Sequence, residues 1–77
     1  MSYFVLAAER KKSNGLTYLV YFVTRSANEI GTVQNTTSID WAKRFTSEIS
    51  ARYAIQNGGD PMKCQNYKIT PVNDPNE

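Results

Sequence analysis

The most strongly patterned stretch of the chain is the apolar run from Leu16 to Thr24, LTYLVYFVT. β-Branched and aromatic residues in such a run favour a strand. Successive side chains of a strand point to opposite faces, so both faces of this strand would be apolar. The two faces would carry Tyr18, Val20 and Phe22 on one side and Leu19, Tyr21 and Val23 on the other. This pattern is typical of a strand that is covered on both sides.

A second strand, Tyr3 to Glu9, is predicted to precede this run. The polar residues from Arg10 to Gly15 would form the connecting turn. Asn14-Gly15 is the pair that favours a type I′ hairpin turn, because both positions of that turn need positive φ. A two-residue turn at this pair would place Ala8 opposite Tyr21, and a longer loop would shift this register.

Two further strands are predicted, one weak and one near a sheet edge. The weak strand runs from Glu29 to Gln34, and Gly31 would interrupt it or form a bulge. The other runs from Asn66 to Val72. Pro71 cannot donate a hydrogen bond to a central ladder, so this strand should lie at an edge or end near Thr70.

A helical period separates these two strands. Ser38 is the predicted N-cap, and Gly58-Gly59 would end the helix after Asn57. At about 100° per residue, the stripe that faces the core would contain Ala42, Phe45, Ile49 and Tyr53. The opposite side would carry charges of alternating sign at every fourth residue, namely Asp40, Arg44, Glu48 and Arg52. Such pairs stabilise an exposed helix.

These elements predict a small α+β fold in β-β-β-α-β order, with one amphipathic helix packed on one face of an antiparallel sheet. Residues 1–73 would form a single domain, and the polar residues 74–77 would be a disordered tail. One helix covers only one face of a sheet. We therefore expect another chain to cover the second apolar face, and the sequence leaves open which face that is.

Composition narrows the class of protein. The chain has 77 residues, with nine Lys and Arg against seven Asp and Glu, for a net charge of +2. This weak positive charge permits an anionic partner but falls short of the dense basic surface of a dedicated nucleic-acid binder. The single Cys64 cannot form an internal disulfide, and no apolar stretch is long enough for a signal peptide or a membrane span. We expect a cytoplasmic protein that does not enter membranes.

Catalytic chemistry has few candidate residues. The chain has no histidine, which removes histidine-based triads and nearly every catalytic zinc site. The carboxylates are scattered singly, without the spacing of a calcium loop. The four glycines form no phosphate-binding motif. Cys64 has neither a base nor a metal partner in the sequence pattern. We expect a protein that is not an enzyme and that binds no cofactor and no metal.

The first functional hypothesis is a protein-binding module that acts by surface contact. The residues predicted to make that contact are Tyr18, Phe22, Trp41, Arg44 and Ile55. Tryptophan and arginine are enriched in binding hot spots, and Ile55 falls on the charged side of the predicted helix. The partner would be a host protein or a second copy of the chain, which would make a structural homodimer.

The second hypothesis is a small DNA- or RNA-binding domain that uses a basic hairpin and the sheet. The residues predicted to contact nucleic acid are Arg10, Lys11, Lys12 and Arg25. The layout of a hairpin, an amphipathic helix and a final strand also resembles that of many small phage or mobile-element proteins. That resemblance covers architecture only, and it implies an inhibitor that occupies the surface of a host protein.

Overall fold

The computed structural model describes residues 2–25 and 33–73, with Arg25 described by its backbone alone. The chain forms a four-stranded antiparallel sheet in the order β3-β2-β1-β4. Its strands are β1 (Ser2–Lys11), β2 (Thr17–Arg25), β3 (Val33–Thr36) and β4 (Lys68–Asn73). Its helices are a short 3₁₀ helix (Ile39–Trp41), α1 (Glu48–Asn57) and α2 (Asp60–Lys63). The predicted α+β fold, with one main helix against an antiparallel sheet, is confirmed.

The hairpin turn between β1 and β2 differs from the predicted one. The Lys12 N–H donates to the Leu16 carbonyl at 2.8 Å, and the Gly15 N–H donates to the Lys12 carbonyl at 3.0 Å. The loop is therefore three residues long. Gly15 has a φ of 88°, whereas Asn14 lacks the positive φ that a type I′ turn requires at both positions.

This longer loop shifts the hairpin register by one residue. Ala8 lies opposite Val20, and Ala7 lies opposite Tyr21, so the predicted pairing of Ala8 with Tyr21 is wrong. Directly opposed residues of antiparallel strands point to the same face. The shift therefore places the even-numbered residues of β1 on the same face as the even-numbered residues of β2.

The helices α1 and α2 cover this even-numbered face. Its buried core cluster consists of Leu6, Phe22, Phe45, Ala51 and Met62. Partly buried apolar residues of β3, α1 and β4 pack around that cluster. The structure thus answers the question that the sequence left open, because the helix takes the face that carries Phe22.

A short segment of chain, residues 43–45, lies between β1 and β2 beyond the part where those strands pair. The Lys43 N–H donates to the Phe22 carbonyl at 2.9 Å. Phe4 and Phe45 exchange two backbone hydrogen bonds, of 2.9 and 2.8 Å. The backbone groups of this segment are thus satisfied by the sheet and not by a helix.

The predicted helix from Ser38 to Asn57 is therefore wrong over its first half. Only the 3₁₀ helix forms after Ser38, whose side chain makes no capping bond. The main helix begins at Glu48, where the Ser47 hydroxyl accepts a hydrogen bond from the Ser50 N–H at 3.1 Å. The predicted end is confirmed, since α1 ends at Asn57 with Gly58 as its C-cap.

The predicted core stripe is wrong for the residues that do lie on α1. Ala42 and Phe45 are buried, but they precede the helix, whereas Ile49 and Tyr53 are 66% and 57% exposed. The helix instead buries Ala51. Of the predicted charge series, the described part of the chain shows the exposed Glu48–Arg52 pair at 3.3 Å.

The predictions for the remaining elements are confirmed in part. Residues 26–32 and 74–77 lie outside the described part, so the tail and most of the strand predicted from Glu29 to Gln34 lie there too. The strand β3 begins at Val33, and its pairing with β2 is irregular between Phe22 and Thr24. The last strand begins two residues later than predicted, at Lys68, contains Pro71 and lies at a sheet edge as expected. No helix in the described ranges is long and apolar enough to cross a membrane.

Candidate protein-binding surface

The sheet face opposite α1 and α2 is the candidate site, and we call it the open face. It is covered in part, since Val5 on this face is 0% exposed and Ile39 of the 3₁₀ helix lies against it. Its central row runs across three strands, from Tyr21 on β2 through Ala7 on β1 to Lys68 on β4. The row above pairs Leu19 with Glu9. The odd-numbered positions of β1 and β2 thus form this face, as the period of two along each strand requires.

A groove of about 410 Å³ lies on the open face. It is lined by Ala7, Ala8, Glu9, Leu19, Tyr21, Ile39, Asn66, Lys68 and Thr70. The short side chain of Ala7 lies between longer side chains on the two neighbouring strands, so the surface is lowest along β1. The volume is within the range of about 300–1,000 Å³ that is usual for ligand pockets.

The walls of the groove are apolar on the β2 side. Leu19 is 47% exposed, although it lies within a central strand of the sheet. Tyr21 and Ile39 are half-buried beside it. Covering the exposed part of this large apolar side chain with another surface is favourable, because apolar area is removed from water.

Two opposite charges flank the floor of the groove. Glu9 and Lys68 are both exposed, and both line the groove around Ala7. Neither side chain forms a salt bridge with any residue of the described ranges.

Two of the predicted contact residues belong to the core. Phe22 is 7% exposed, and its ring centroid lies 6.5 Å from that of Phe45 and 5.9 Å from that of Tyr67. Ile55 is half-buried and packs against the core cluster, because α1 turns a different side towards the sheet from the one predicted. Phe22 is therefore shielded from a partner, whereas Ile55 presents only part of its side chain.

The other three predicted contact residues lie nearer to water. Tyr18 is half-buried on the helix-covered side, with the Lys12 ammonium 5.7 Å from its ring centroid. Trp41 is 74% exposed at the end of the 3₁₀ helix. Arg44 is also exposed, and its guanidinium lies 4.4 Å from the ring centroid of Tyr3. Roles for these residues in binding stay predictions.

The structure distributes the basic residues of the nucleic-acid hypothesis over both sides of the hairpin. Arg10 lies on the helix side, where its guanidinium donates to the Gln65 carbonyl at 3.1 Å and to Gln65 Oε1 at 2.6 Å. Lys12 lies over Tyr18, and Lys11 points to the open-face side of β1. The side chain of Arg25 lies outside the described atoms.

The Arg10 contact is part of a polar network that joins distant parts of the sheet. The Asn35 amide donates to Gln65 Oε1 at 3.3 Å, and the Tyr67 hydroxyl donates to Asn35 Oδ1. Burial raises the pKa of the Tyr67 hydroxyl above its usual value, and the hydrogen bond to Asn35 and the Arg10 charge offset only part of this increase. Folding therefore favours the neutral tyrosine.

We expect Tyr67→Phe to remove a pH dependence of stability at alkaline pH. A raised pKa in the folded state means that the stabilisation is complete below about pH 10, the pKa of an unfolded tyrosine, and is lost as the pH rises through the folded-state value. In urea unfolding, the free energy of unfolding should fall more between about pH 7 and about pH 11 for the native chain than for Tyr67→Phe. At neutral pH the free energy of unfolding of the variant should be about 1 kcal/mol lower, because the hydrogen bond from Tyr67 to Asn35 is lost. Tyr53→Phe, at an exposed position on α1, is the control and should retain the native pH profile.

The sequence pattern identified only part of the open face. Leu19 and Tyr21 belong to one of the two faces considered for β2, but the side chains that shape the groove were missed: Ala7, Glu9, Ile39 and Lys68. The signal present in the sequence was the pair of small residues Ala7-Ala8 inside an otherwise bulky strand.

The chain matches no known protein-family model, and no curated protein or solved structure is detectably similar to it.

Proposed function

We propose that this chain is a non-enzymatic protein-binding module whose contact surface is the open face. The observation that supports the proposal is the half-exposed Leu19, which stands with Tyr21 and Ile39 beside a groove whose floor is an alanine. An apolar wall next to a vacant concavity is the arrangement in which anchor side chains of a partner are buried.

The contribution of this wall to binding can be estimated. Full burial of a leucine side chain contributes about 1.5–3 kcal/mol, so covering the exposed half of Leu19 would contribute about 1 kcal/mol. Tyr21 adds an aromatic surface with a hydroxyl that can form a hydrogen bond. Both side chains project from a paired strand, so little conformational entropy is lost when a partner orders them.

A pair of exposed apolar residues on α1, Ile49 and Tyr53, is less suited to binding a partner. Ile49 and Tyr53 lie one turn apart on α1, which is a convex surface, and the Glu48–Arg52 ion pair lies on the same helix. Exposed apolar residues on a helix surface are common and need no partner. This pair therefore provides a matched control for Leu19.

We expect Leu19→Glu to weaken partner binding at least tenfold, which corresponds to about 1.4 kcal/mol, because it places a carboxylate on the apolar wall. A photo-crosslinking amino acid at position 19 should give a discrete adduct, whereas the same group at position 49 should not. Ile49→Glu, which also introduces a carboxylate at an exposed apolar position, should leave binding unchanged.

Two results would contradict the proposal. Equal cross-linking from positions 19 and 49 would show that contact is not specific to the open face. Binding that disappears with nuclease treatment or in high salt would instead indicate nucleic acid, whose affinity depends strongly on salt.

A further inference from the structure

We infer that Pro71 closes the β4 edge of the sheet to a further strand, and so keeps two copies of this chain from joining edge to edge. This inference goes beyond the proposed function, because it concerns an edge of the sheet and not the open face. It rests on the side of β4 towards which the backbone of Pro71 points.

The hydrogen bonds of Phe4 fix that side. The Phe4 N–H donates to the Phe45 carbonyl and the Phe4 carbonyl accepts from the Phe45 N–H, so both groups of Phe4 point away from β4. Phe4 lies opposite Pro71. In an antiparallel pair, residues that bond across the pair alternate with residues whose backbone groups point outward. The nitrogen and the carbonyl of Pro71 therefore point away from β1, to the outer side of β4.

The outer side of β4 carries the backbone groups of every second residue, namely Ile69, Pro71 and Asn73. Within the described ranges, β1 is the single neighbour of β4 in the sheet. An unpaired row of N–H and C=O groups at a sheet edge is a template for another strand. Pro71 is exposed at the centre of this row and has no N–H to donate. It therefore interrupts the template at its middle position.

The β4 edge of a second copy would otherwise match this edge. A two-fold axis perpendicular to the sheet and through position 71 pairs Ile69 of each copy with Asn73 of the other, and position 71 with itself. Each of these pairs would exchange two hydrogen bonds if an N–H were present at every position. Proline removes both bonds at the axis, and the Cδ methylene of each ring occupies the place of the missing hydrogen. The register that uses the whole outer side of β4 is thus the one that Pro71 blocks.

Pro71→Thr tests the inference, because threonine supplies the missing N–H and suits a strand without adding apolar surface. In sedimentation equilibrium of the purified full chain, the association constant of this variant should exceed the native value at least about tenfold, since two hydrogen bonds are added. Adding Asn73→Pro to this variant removes another outward donor, so the association constant should return to within about threefold of the native value. Val72→Thr is the matched control. It introduces the same residue type where the N–H points to β1, and should leave association unchanged.

Amide hydrogen exchange tests the orientation of β4 in the native chain, without any substitution. The N–H of Ile69 points outward and that of Thr70 points to β1. By nuclear magnetic resonance, the Ile69 amide should therefore exchange at least about tenfold faster than the Thr70 amide. In Pro71→Thr, the amide at position 71 should be unprotected at low protein concentration and become protected as the concentration rises.

Three results would overturn the inference. The first is a Pro71→Thr chain that is folded by circular dichroism and associates no more strongly than the native chain, because the edge would then be closed by something other than proline. The second is stronger association that persists after Asn73→Pro is added, which would place the contact away from the β4 edge. The third is an Ile69 amide that exchanges as slowly as that of Thr70, which would show that the outer side of β4 is not open. The binding test with Leu19→Glu is independent of all three.

Discussion

Replacing Leu6 by alanine is expected to lower the free energy of unfolding by about 3 kcal/mol, within the range of about 2–5 kcal/mol measured for buried leucines. Leu6 is 0% exposed and belongs to the core cluster. It lies opposite Ile69 on β4, and it shares its face of the sheet with Phe22. The alanine would leave a cavity between the sheet and α1, because side chains from several elements meet there and cannot all move inward.

A loss of this size would be large for so small a domain. Single domains are stable by only about 5–15 kcal/mol, and a chain of this length has a limited core. The loss should therefore appear as a large fall in the urea concentration at the midpoint of unfolding, with little change in the slope of the transition. The measurement should be made at low protein concentration, because association would add to the apparent stability.

Leu16→Ala is the matched control for Leu6→Ala. It removes the same atoms from a side chain that is 63% exposed beside the hairpin loop, so it should change stability by no more than about 0.5 kcal/mol. A cost below about 1 kcal/mol for Leu6→Ala would contradict the placement of this residue at the centre of the core.

The strands were predictable because their signal is local. The apolar run in β2 and the strand before it have the composition that a pleated, half-buried surface selects, and both form. The register was not predictable from Asn14-Gly15 alone, since this pair also suits a three-residue loop with glycine at the positive φ. That single residue of shift decides which residues of β1 share a face with Phe22.

The helix was mispredicted because a distant partner changed the outcome. Ala42 and Phe45 fit a helical period and are buried, but the backbone of residues 43–45 is hydrogen-bonded to Phe4 and Phe22. The strands β1 and β2 separate at this point, and residues 43–45 occupy the gap between them. Nothing in the local pattern of residues 38–47 indicates this, because the competing bonds come from elements about 20 to 40 residues away.

The open face was only half predictable for a similar reason. The two apolar sides of β2 follow from its alternation, and the main helix packs on the one that carries Phe22. The groove itself depends on Ala7 lying between Tyr21 and Lys68, and the second of these neighbours comes from the other end of the chain. Pairing over that distance has no signature in the local sequence.

Gly58 is expected to tolerate no side chain, for a reason that differs from the usual one for glycine. Its φ is −78°, which any residue can adopt. A Cβ atom at this position would lie 2.0 Å from Met62 Cγ, 2.8 Å from Met62 Cβ and 2.9 Å from the Ala54 carbonyl oxygen. Met62 is 1% exposed, so it cannot move into water to relieve the overlap. The contact between α1 and α2 would have to open.

We therefore expect Gly58→Ala to destabilise the fold by about 2–3 kcal/mol, the upper part of the range for overpacked cores. Gly15→Ala offers the opposite case, because its φ is 88° and nothing lies within 4 Å of the added Cβ. It should cost about 1 kcal/mol through backbone strain alone. Asparagine tolerates positive φ, so Gly15→Asn should recover most of that loss, whereas Gly58→Asn should be at least as damaging as Gly58→Ala.

A double-mutant cycle separates steric overlap at Gly58 from a general weakening of the helix end. Met62→Ala removes the Cγ atom that lies closest to the added Cβ, although it also leaves a cavity of its own. If overlap is the cause, Gly58→Ala combined with Met62→Ala should cost at least about 1 kcal/mol less than the sum of the two single changes in urea unfolding. Additive costs would mean that the two side chains do not compete for the same space, and the close packing of α1 on α2 at this point would then be wrong.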